Sequence, residues 1–157
     1  MTAHDGGPAA IETEHLGKRF DDRWVVEDLT MRVPTGSILG LIGPSGCGKT
    51  TTVRLLNGVY RPDAGDVWVG GRRPTDLRTA DRQDLGYLPQ QPALFPALTL
   101  WENLQLHASL NGVRYRRRPR LREVLDLVDL YPDRRTLVRE ASGGMQRRLA
   151  LAATLVH

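Results

Sequence analysis

Apolar and polar residues alternate through "IETEHLGKRF" and again through "WVVEDLTMRV", the period-two spacing of strands with one buried face. "PTG" (Pro34, Thr35 and Gly36) then predicts a turn between strands. "SILGLIG" breaks the alternation with a short continuous apolar run, which predicts a strand covered on both faces. A glycine-rich loop follows, and residues 49–58 read as a helix stopped by Gly58. "RPDAGDVWVGG" predicts a turn and a short strand, and "LGYLPQ" another strand. Further along the period changes. Leu100, Leu104, His107 and Ala108 fall at i, i+4, i+7 and i+8, and Leu121, Val124, Leu125 and Val128 at i, i+3, i+4 and i+7. Both sets predict amphipathic helices, and a last apolar helix opens after Ser142. Strands first, then one strand–loop–helix unit, then helices: this order predicts an α/β protein with two differently built appendages.

At 157 residues with 40% hydrophobic content the chain is the size of one domain with a core. A single cysteine, Cys47, excludes an intrachain disulfide and fits a reducing compartment. "MTAHDGGPAA" has neither the positive flank nor the apolar core of a signal peptide, and residues 1–8 read as a flexible tail. The longest nearly apolar runs, "ILGLIG" and "LALAATLV", fall far short of the ~20 residues of a membrane span, so a cytoplasmic chain is expected. The net charge of +4 and pI near 9.7 permit nucleic acid, anionic lipid or phosphate ligands and select none. Its make-up says more: of the 22 basic side chains only Lys18 and Lys49 are lysines, the compact cation that fits inside a tight loop where a guanidinium does not.

Lys49 stands in such a loop. "GPSGCGKT" matches G-x-x-x-x-G-K-[ST] at every fixed position, directly after a buried-strand pattern and directly before a helix. Consecutive backbone N–H groups there curl around an anion, and the helix start adds its positive dipole end. The expected contacts are Gly43, Pro44, Ser45, Gly46, Cys47, Gly48, Lys49, Thr50 and Thr51. Lys49 reaches the β- and γ-phosphates, the Thr50 hydroxyl holds Mg²⁺, and Thr51 donates to the α-phosphate. A glycine-rich turn without function is the plain alternative; the agreement of strand, loop, lysine and hydroxyl weighs against it. Cys47 reads as a small side chain in the loop rather than a catalytic thiol.

A phosphate loop alone leaves kinases, GTPases, helicases and transport ATPases open. The other motifs resemble, in order and over nearly the whole chain, the nucleotide-binding domain of ATP-binding cassette (ABC) transporters. "LGKRF" resembles the segment whose aromatic, here Phe20, stacks on adenine. "LGYLPQQPALFPALTLWENL" looks like the glutamine loop, with Gln90 touching Mg²⁺ and the attacking water. "ASGGMQRRLALA" looks like the signature sequence, and it is the most specific of these motifs. The resemblance implies a phosphate-loop NTPase core with an antiparallel β subdomain and a helical subdomain. On this chain it sets the β subdomain and core at 9–98, the helical subdomain at 99–141 and the signature helix at 142–157.

It also implies ATP and Mg²⁺ as cofactors, Lys49 and Gln90 as catalytic groups, and Thr50 and Gln90 as metal contacts. Ser142 is a good helix N-cap, and Gly143 and Gly144 admit close backbone approach. In the family this helix start meets the γ-phosphate of an ATP held by a second nucleotide-binding domain, so two domains enclose two nucleotides head to tail. The implied function is ATP hydrolysis driving a separate membrane permease, with the chain peripheral on the inner face of the cell membrane. Two positions depart from the usual signature: Ala141 where the family has Leu, and Met145 where it often has Gln. The loss of an apolar anchor at Ala141 is expected to loosen the helix slightly. The Met form followed by Gln-Arg-Arg resembles exporters and tilts the reading toward export.

In the family the signature helix leads to an apolar strand ending in Asp-Glu and then to a switch histidine. The sequence stops at "TLVH", and His4, His15, His107 and His157 lie outside the switch position. A partial domain, incomplete at its C-terminus, is therefore expected: it binds ATP but lacks the general base, and its turnover is near background. The strand over residues 38–42 is expected to lack neighbours and to invite aggregation. The basic stretch "RYRRRPR" (Arg114–Arg120) reads as a solvated loop broken by Pro119; a contact with anionic lipid or the permease is its functional alternative. Without aromatic platforms beside its charges, nucleic-acid binding is not expected. Two rival functions stand: a soluble ABC ATPase acting on ribosomes or DNA, and a nucleotide-binding fragment that complements another chain.

Overall fold

The computed structural model describes residues 8–77, 85–91, 93–110, 112 and 118–156. The chain forms two compact units, residues up to 82 and residues from 83.

The first unit is built on an antiparallel sheet. Strand β1 (Ala9–Phe20) lies between β2 (Arg23–Pro34) and β3 (Ala64–Val69), giving the order β2-β1-β3. Helix α1 (Lys49–Leu56) supplies Leu55 to a core shared with Leu16, Val26 and Val67. The alternation in the sequence delivers these residues to one face. The buried Thr13 stays satisfied by donating its hydroxyl to the Leu29 carbonyl and accepting the Met31 N–H. Two twelve-residue strands cannot run flat, and the register shifts between Thr13 and Leu16. There His15 and Asp28 take positive φ angles of 48° and 52° on opposite strands. Gly65 meets this bulge with φ +67°; a Cβ at that position would lie 2.2 Å from the carbonyl oxygens of both Glu14 and His15.

The second unit is helical. Helices α2 (Leu100–Leu110), α3 (Arg118–Leu127) and α4 (Gly143–Leu155) enclose Leu100, Leu104, Val124, Leu125, Leu149 and Ala152. Of the residues read from the sequence as stripes, Leu100, Leu104 and Ala108 on one helix and Leu121, Val124, Leu125 and Val128 on or just after the next are buried, while His107 is half-buried with its Nε2 3.0 Å from the Ala93 carbonyl oxygen. A 3-10 turn, Val138–Glu140, leads into α4.

Three expectations are corrected. Residues 38–42 form no strand: the segment is irregular, with Ile38 and Ile42 essentially fully exposed (101% and 98%). A strand exists only as part of a ladder, and among the described residues no strand pairs with this one. The turn at Pro34–Gly36 does form, closed by the Ser37 N–H on the Pro34 carbonyl, but it leads into that irregular segment. "LGYLPQ" is likewise no strand over its described residues, and Tyr87 and Leu88 are exposed. Finally, the basic stretch is a loop only in part. Arg118 to Arg120 belong to the first turn of α3, where Pro119 is tolerated because its missing N–H has no intrahelical partner anyway; residues 113–117 and the tail at 1–7 lie outside the described residues.

Candidate functional site

The loop from Gly43 to Thr50 enters α1 through Gly48, whose φ of 92° no β-carbon would accept comfortably. A Cβ on Gly48 would also lie 2.4 Å from the Val25 carbonyl oxygen on β2, so glycine is required twice over. Gly46 is left-handed as well (φ 82°). With glycine at the N-cap, no side chain caps α1, and its first-turn N–H groups lack the internal partner a Ser or Asp supplies elsewhere. Lys49 folds back over the loop: its Nζ donates to the carbonyls of Gly43 (2.7 Å) and Pro44 (2.6 Å) and lies 3.5 Å from Cys47 Sγ. One ammonium thus ties the start of the loop to its end. Thr50 is exposed in the first turn, and Thr52 is buried, its hydroxyl on the Gly48 carbonyl. Uncapped N–H groups, two left-handed glycines and a single ammonium form a fitting cradle for a phosphate chain.

On the same unit Phe20 ends β1 and stays 40% exposed. Its ring packs against Tyr60 with centroids 5.3 Å apart and planes at 73°. Lys18, the second lysine, places its Nζ 5.6 Å from the Phe20 ring centre. Asp63 fixes that lysine at 3.1 Å and also accepts the Arg19 N–H. Those contacts, the Arg19 N–H foremost and Lys18 next, hold the Asp63 carboxyl below its ordinary value.

On the helical unit the expected cap is present: Ser142 Oγ accepts the Met145 N–H at 3.2 Å, leaving Gly143 and Gly144 exposed at the helix start. Gln146 reaches back and donates from Nε2 to the carbonyls of Val138 and Ala141, both at 3.0 Å. Ala141 itself is buried, so the shorter side chain still packs. Gln90 is exposed and shares a cavity of about 480 Å³ with Gly143, Gln146 and Arg147. Gln90 and the signature start thus line one cavity in the helical unit, while Phe20 and the glycine loop both belong to the other unit.

Sequence reasoning passed over Asn103, Gln146 and Tyr60. Asn103 is fully buried and clips the loop 95–99 to α2: its Oδ1 accepts the Phe95 N–H at 2.8 Å, and its Nδ2 donates to the carbonyls of Phe95, Leu98 and Thr99. Its signal was a polar residue on the apolar stripe of α2. Thr99 and Glu102 make a reciprocal N-terminal cap of the same helix, readable as T-x-x-E. Among the described residues no cluster of three or more His, Cys, Asp or Glu side chains is placed to hold a metal ion.

Comparison with known proteins matches the chain to a family. The family model described as "ABC transporter" matches residues 26–157. An Fe(3+) ions import ATP-binding protein of Photorhabdus laumondii is 38% identical over 147 residues, 93% of this chain and 42% of that protein. A daunorubicin resistance ATP-binding protein of Streptomyces coeruleorubidus is 41% identical over 148 residues, 94% of this chain and 47% of that protein. A Nod factor export ATP-binding protein of Burkholderia pseudomallei is 38% identical over 150 residues, 95% of this chain and 49% of that protein. A solved structure described as the ATP binding subunit of an ABC transporter superposes with a TM-score of 0.78 at 28% identity, covering 94% of this chain and 62% of that one. The chain spans under half the length of these curated relatives. Among the described residues no helix is long and apolar enough to cross a membrane.

Proposed function

This chain belongs to the ABC transporter family, and we propose that it is the ATP-binding part of a transporter, binding Mg-ATP to drive a separate membrane permease. The observation that carries the reading is the uncapped start of α1 under the Lys49 ammonium. In this proposal Phe20 stacks on adenine and the loop from Gly43 to Thr51 holds the phosphates. Lys49 exchanges the Gly43 and Pro44 carbonyls for β- and γ-phosphate oxygens. Thr50 and Gln90 hold Mg²⁺, which when bound neutralises developing charge on the phosphates. Gln90 also orients the attacking water. Ser142, Gly143 and Gly144 face the γ-phosphate of an ATP on a second such domain, arranged head to tail. The exposed glycines at that capped helix start support this role. The chain then sits on the inner face of the cell membrane through the permease. The corresponding division is 9–98 for the β subdomain and core, 99–141 for the helical subdomain and 142–157 for the signature helix.

The relatives include importers and exporters by name. We propose export, on the Met145-Gln146-Arg147-Arg148 form of the signature; ATP-driven uptake of cargo into inverted vesicles supports it, and ATP-driven efflux from them overturns it. These 157 residues carry no Asp-Glu pair after the signature helix. A positioned general base is worth ~10²–10⁴-fold, so by themselves they are proposed to bind ATP with turnover near background.

Equilibrium binding tests the assignment. Lys49→Ala removes a charge-assisted contact worth ~1.5–3 kcal/mol, so Mg-ATP affinity should fall roughly ten- to hundredfold. Lys49→Arg should also bind poorly, because the planar fork is too wide for the loop. Equal affinity in the wild type and both variants would sink the phosphate-loop reading.

A further inference from the structure

Phe20 is an exposed aromatic at the end of β1, where the strand ladder alone does not fix the plane of its ring. Two neighbours do. Tyr60 packs on it at 5.3 Å with the planes at 73°, the near-perpendicular arrangement that aromatic quadrupoles favour. Lys18 places one ammonium over both rings, 5.6 Å from Phe20 and 6.0 Å from Tyr60.

Each neighbour is itself held. The Lys18 side chain is only 15% exposed; its Nζ donates to the Arg61 carbonyl at 2.9 Å and pairs with Asp63 at 3.1 Å. Tyr60 is half-buried against the core of Leu16, Val26, Leu55 and Val67. Its hydroxyl accepts from Arg54 Nη1 at 3.0 Å, and the Arg54 guanidinium lies 5.6 Å from its ring centre. Arg54 stands in the last turn of α1, the helix that begins at the phosphate loop, and its carbonyl accepts the N–H groups of Val59 and Tyr60. An unbroken set of contacts therefore runs from α1 through Arg54 and Tyr60 to Phe20.

We propose that Tyr60 is a positioning residue for the base of the nucleotide: braced by Arg54 on α1, it sets the ring of Phe20 so that an adenine stacks at a fixed place relative to the phosphate loop. This rests on the reading of Phe20 and the phosphate loop as one ATP site. Lys18, two residues before Phe20 on β1, completes the brace from the same strand, which gives the chain's second lysine its place. A positioning role of this kind acts only on ligands that carry a base.

The test compares Mg-ATP with Mg-tripolyphosphate, which has the phosphate chain and no base, by titration calorimetry on the 157-residue chain. A near-perpendicular aromatic pair is worth about 0.5–1.5 kcal/mol, so Tyr60→Leu should weaken ATP binding by roughly two- to tenfold and leave tripolyphosphate affinity unchanged. Tyr60→Phe keeps the ring contact and the guanidinium over the ring but loses the hydroxyl bond to Arg54, so its ATP affinity should fall between those of the wild type and Tyr60→Leu. In a Phe20→Leu background, Tyr60→Leu should cost ATP nothing further, because the two residues act as one unit. Equal losses for ATP and tripolyphosphate would overturn the proposal in favour of a purely structural role in the turn after α1. So would unchanged ATP binding in Tyr60→Leu, or additive losses in the double variant. If Tyr60→Leu fails to fold, Tyr60→Met, which keeps the bulk without the ring, carries the same comparison. Failure of the underlying ATP reading looks different: the wild type would bind neither ligand, or Lys49→Ala would bind both unchanged.

Discussion

Asn103 occupies a position where helical spacing asks for an apolar side chain, and it is as buried as the leucines beside it. It stays there because its amide satisfies one N–H and three carbonyls of a loop with no ladder of its own. That loop, "FPALT", follows closely on Gln90, so the amide's work is to fix the entry into α2 from the glutamine segment. Asn103→Ala should orphan these groups and cost about 1–3 kcal/mol, seen as a lower urea midpoint for loss of helical circular dichroism. Asn103→Asp keeps the acceptor for the Phe95 N–H but loses three donations, and should be nearly as damaging. An unchanged midpoint in both would mean that the loop holds itself. Residues of this kind are the ones a single sequence hides. Lys49, Gly48 and Ser142 announce themselves by fixed spacing and local backbone need, whereas Asn103, Gln146 and Tyr60 act through partners eight, five and six positions away or through other elements. Nothing in their immediate neighbours marks them.

Among the elements, three helices begin in three ways. Helix α1 has a bare glycine cap, α4 a serine cap, and α2 the reciprocal cap of Thr99 and Glu102. The bare start follows the glycine loop; the other two satisfy first-turn N–H groups with their own side chains. The Thr99 N–H and, next, its hydroxyl bond the Glu102 carboxylate and hold its pKa below the ordinary value. Because the folded value is depressed, this cap stabilises the chain above the ordinary carboxylate range, and its contribution is lost as pH falls through the folded value. Glu102→Gln should therefore melt lower than wild type at neutral pH, and the gap should close as the medium is acidified. A gap that stays constant with pH would remove the carboxylate from the account. Strands β1, β2 and β3 and helices α1 to α4 were legible because each one's partners lie within the described residues, so local pattern and tertiary need agree. The runs over 38–42 and 85–90 carried an equally clear apolar pattern and form no strand. Pattern predicts a readiness to pair; the ladder itself needs a neighbour.

At the scale of the molecule, each unit has its own core, and the segment 38–42 belongs to neither cluster. Ile38 and Ile42 are fully exposed, and Leu39 and Leu41 are 47% and 38% exposed. A continuous apolar strip without charge is a template for pairing with another chain. The net charge of +4 spread over 157 residues gives only modest repulsion against such contact. The 157-residue chain should therefore self-associate with rising concentration, as read by sedimentation velocity. Replacing Ile38 and Ile42 together with lysine should suppress this while leaving far-UV circular dichroism and the melting point unchanged, since neither side chain gives up a packed environment. Neither isoleucine belongs to the loop from Gly43 to Thr51, so the same variant should also bind Mg-ATP as the wild type does. If the double variant unfolds, the two isoleucines are packed in solution and residues 38–42 have found a partner. If it folds but still associates, the contact lies elsewhere, and the exposed Tyr87, Leu88 and Phe95 of the helical unit become the residues to charge next.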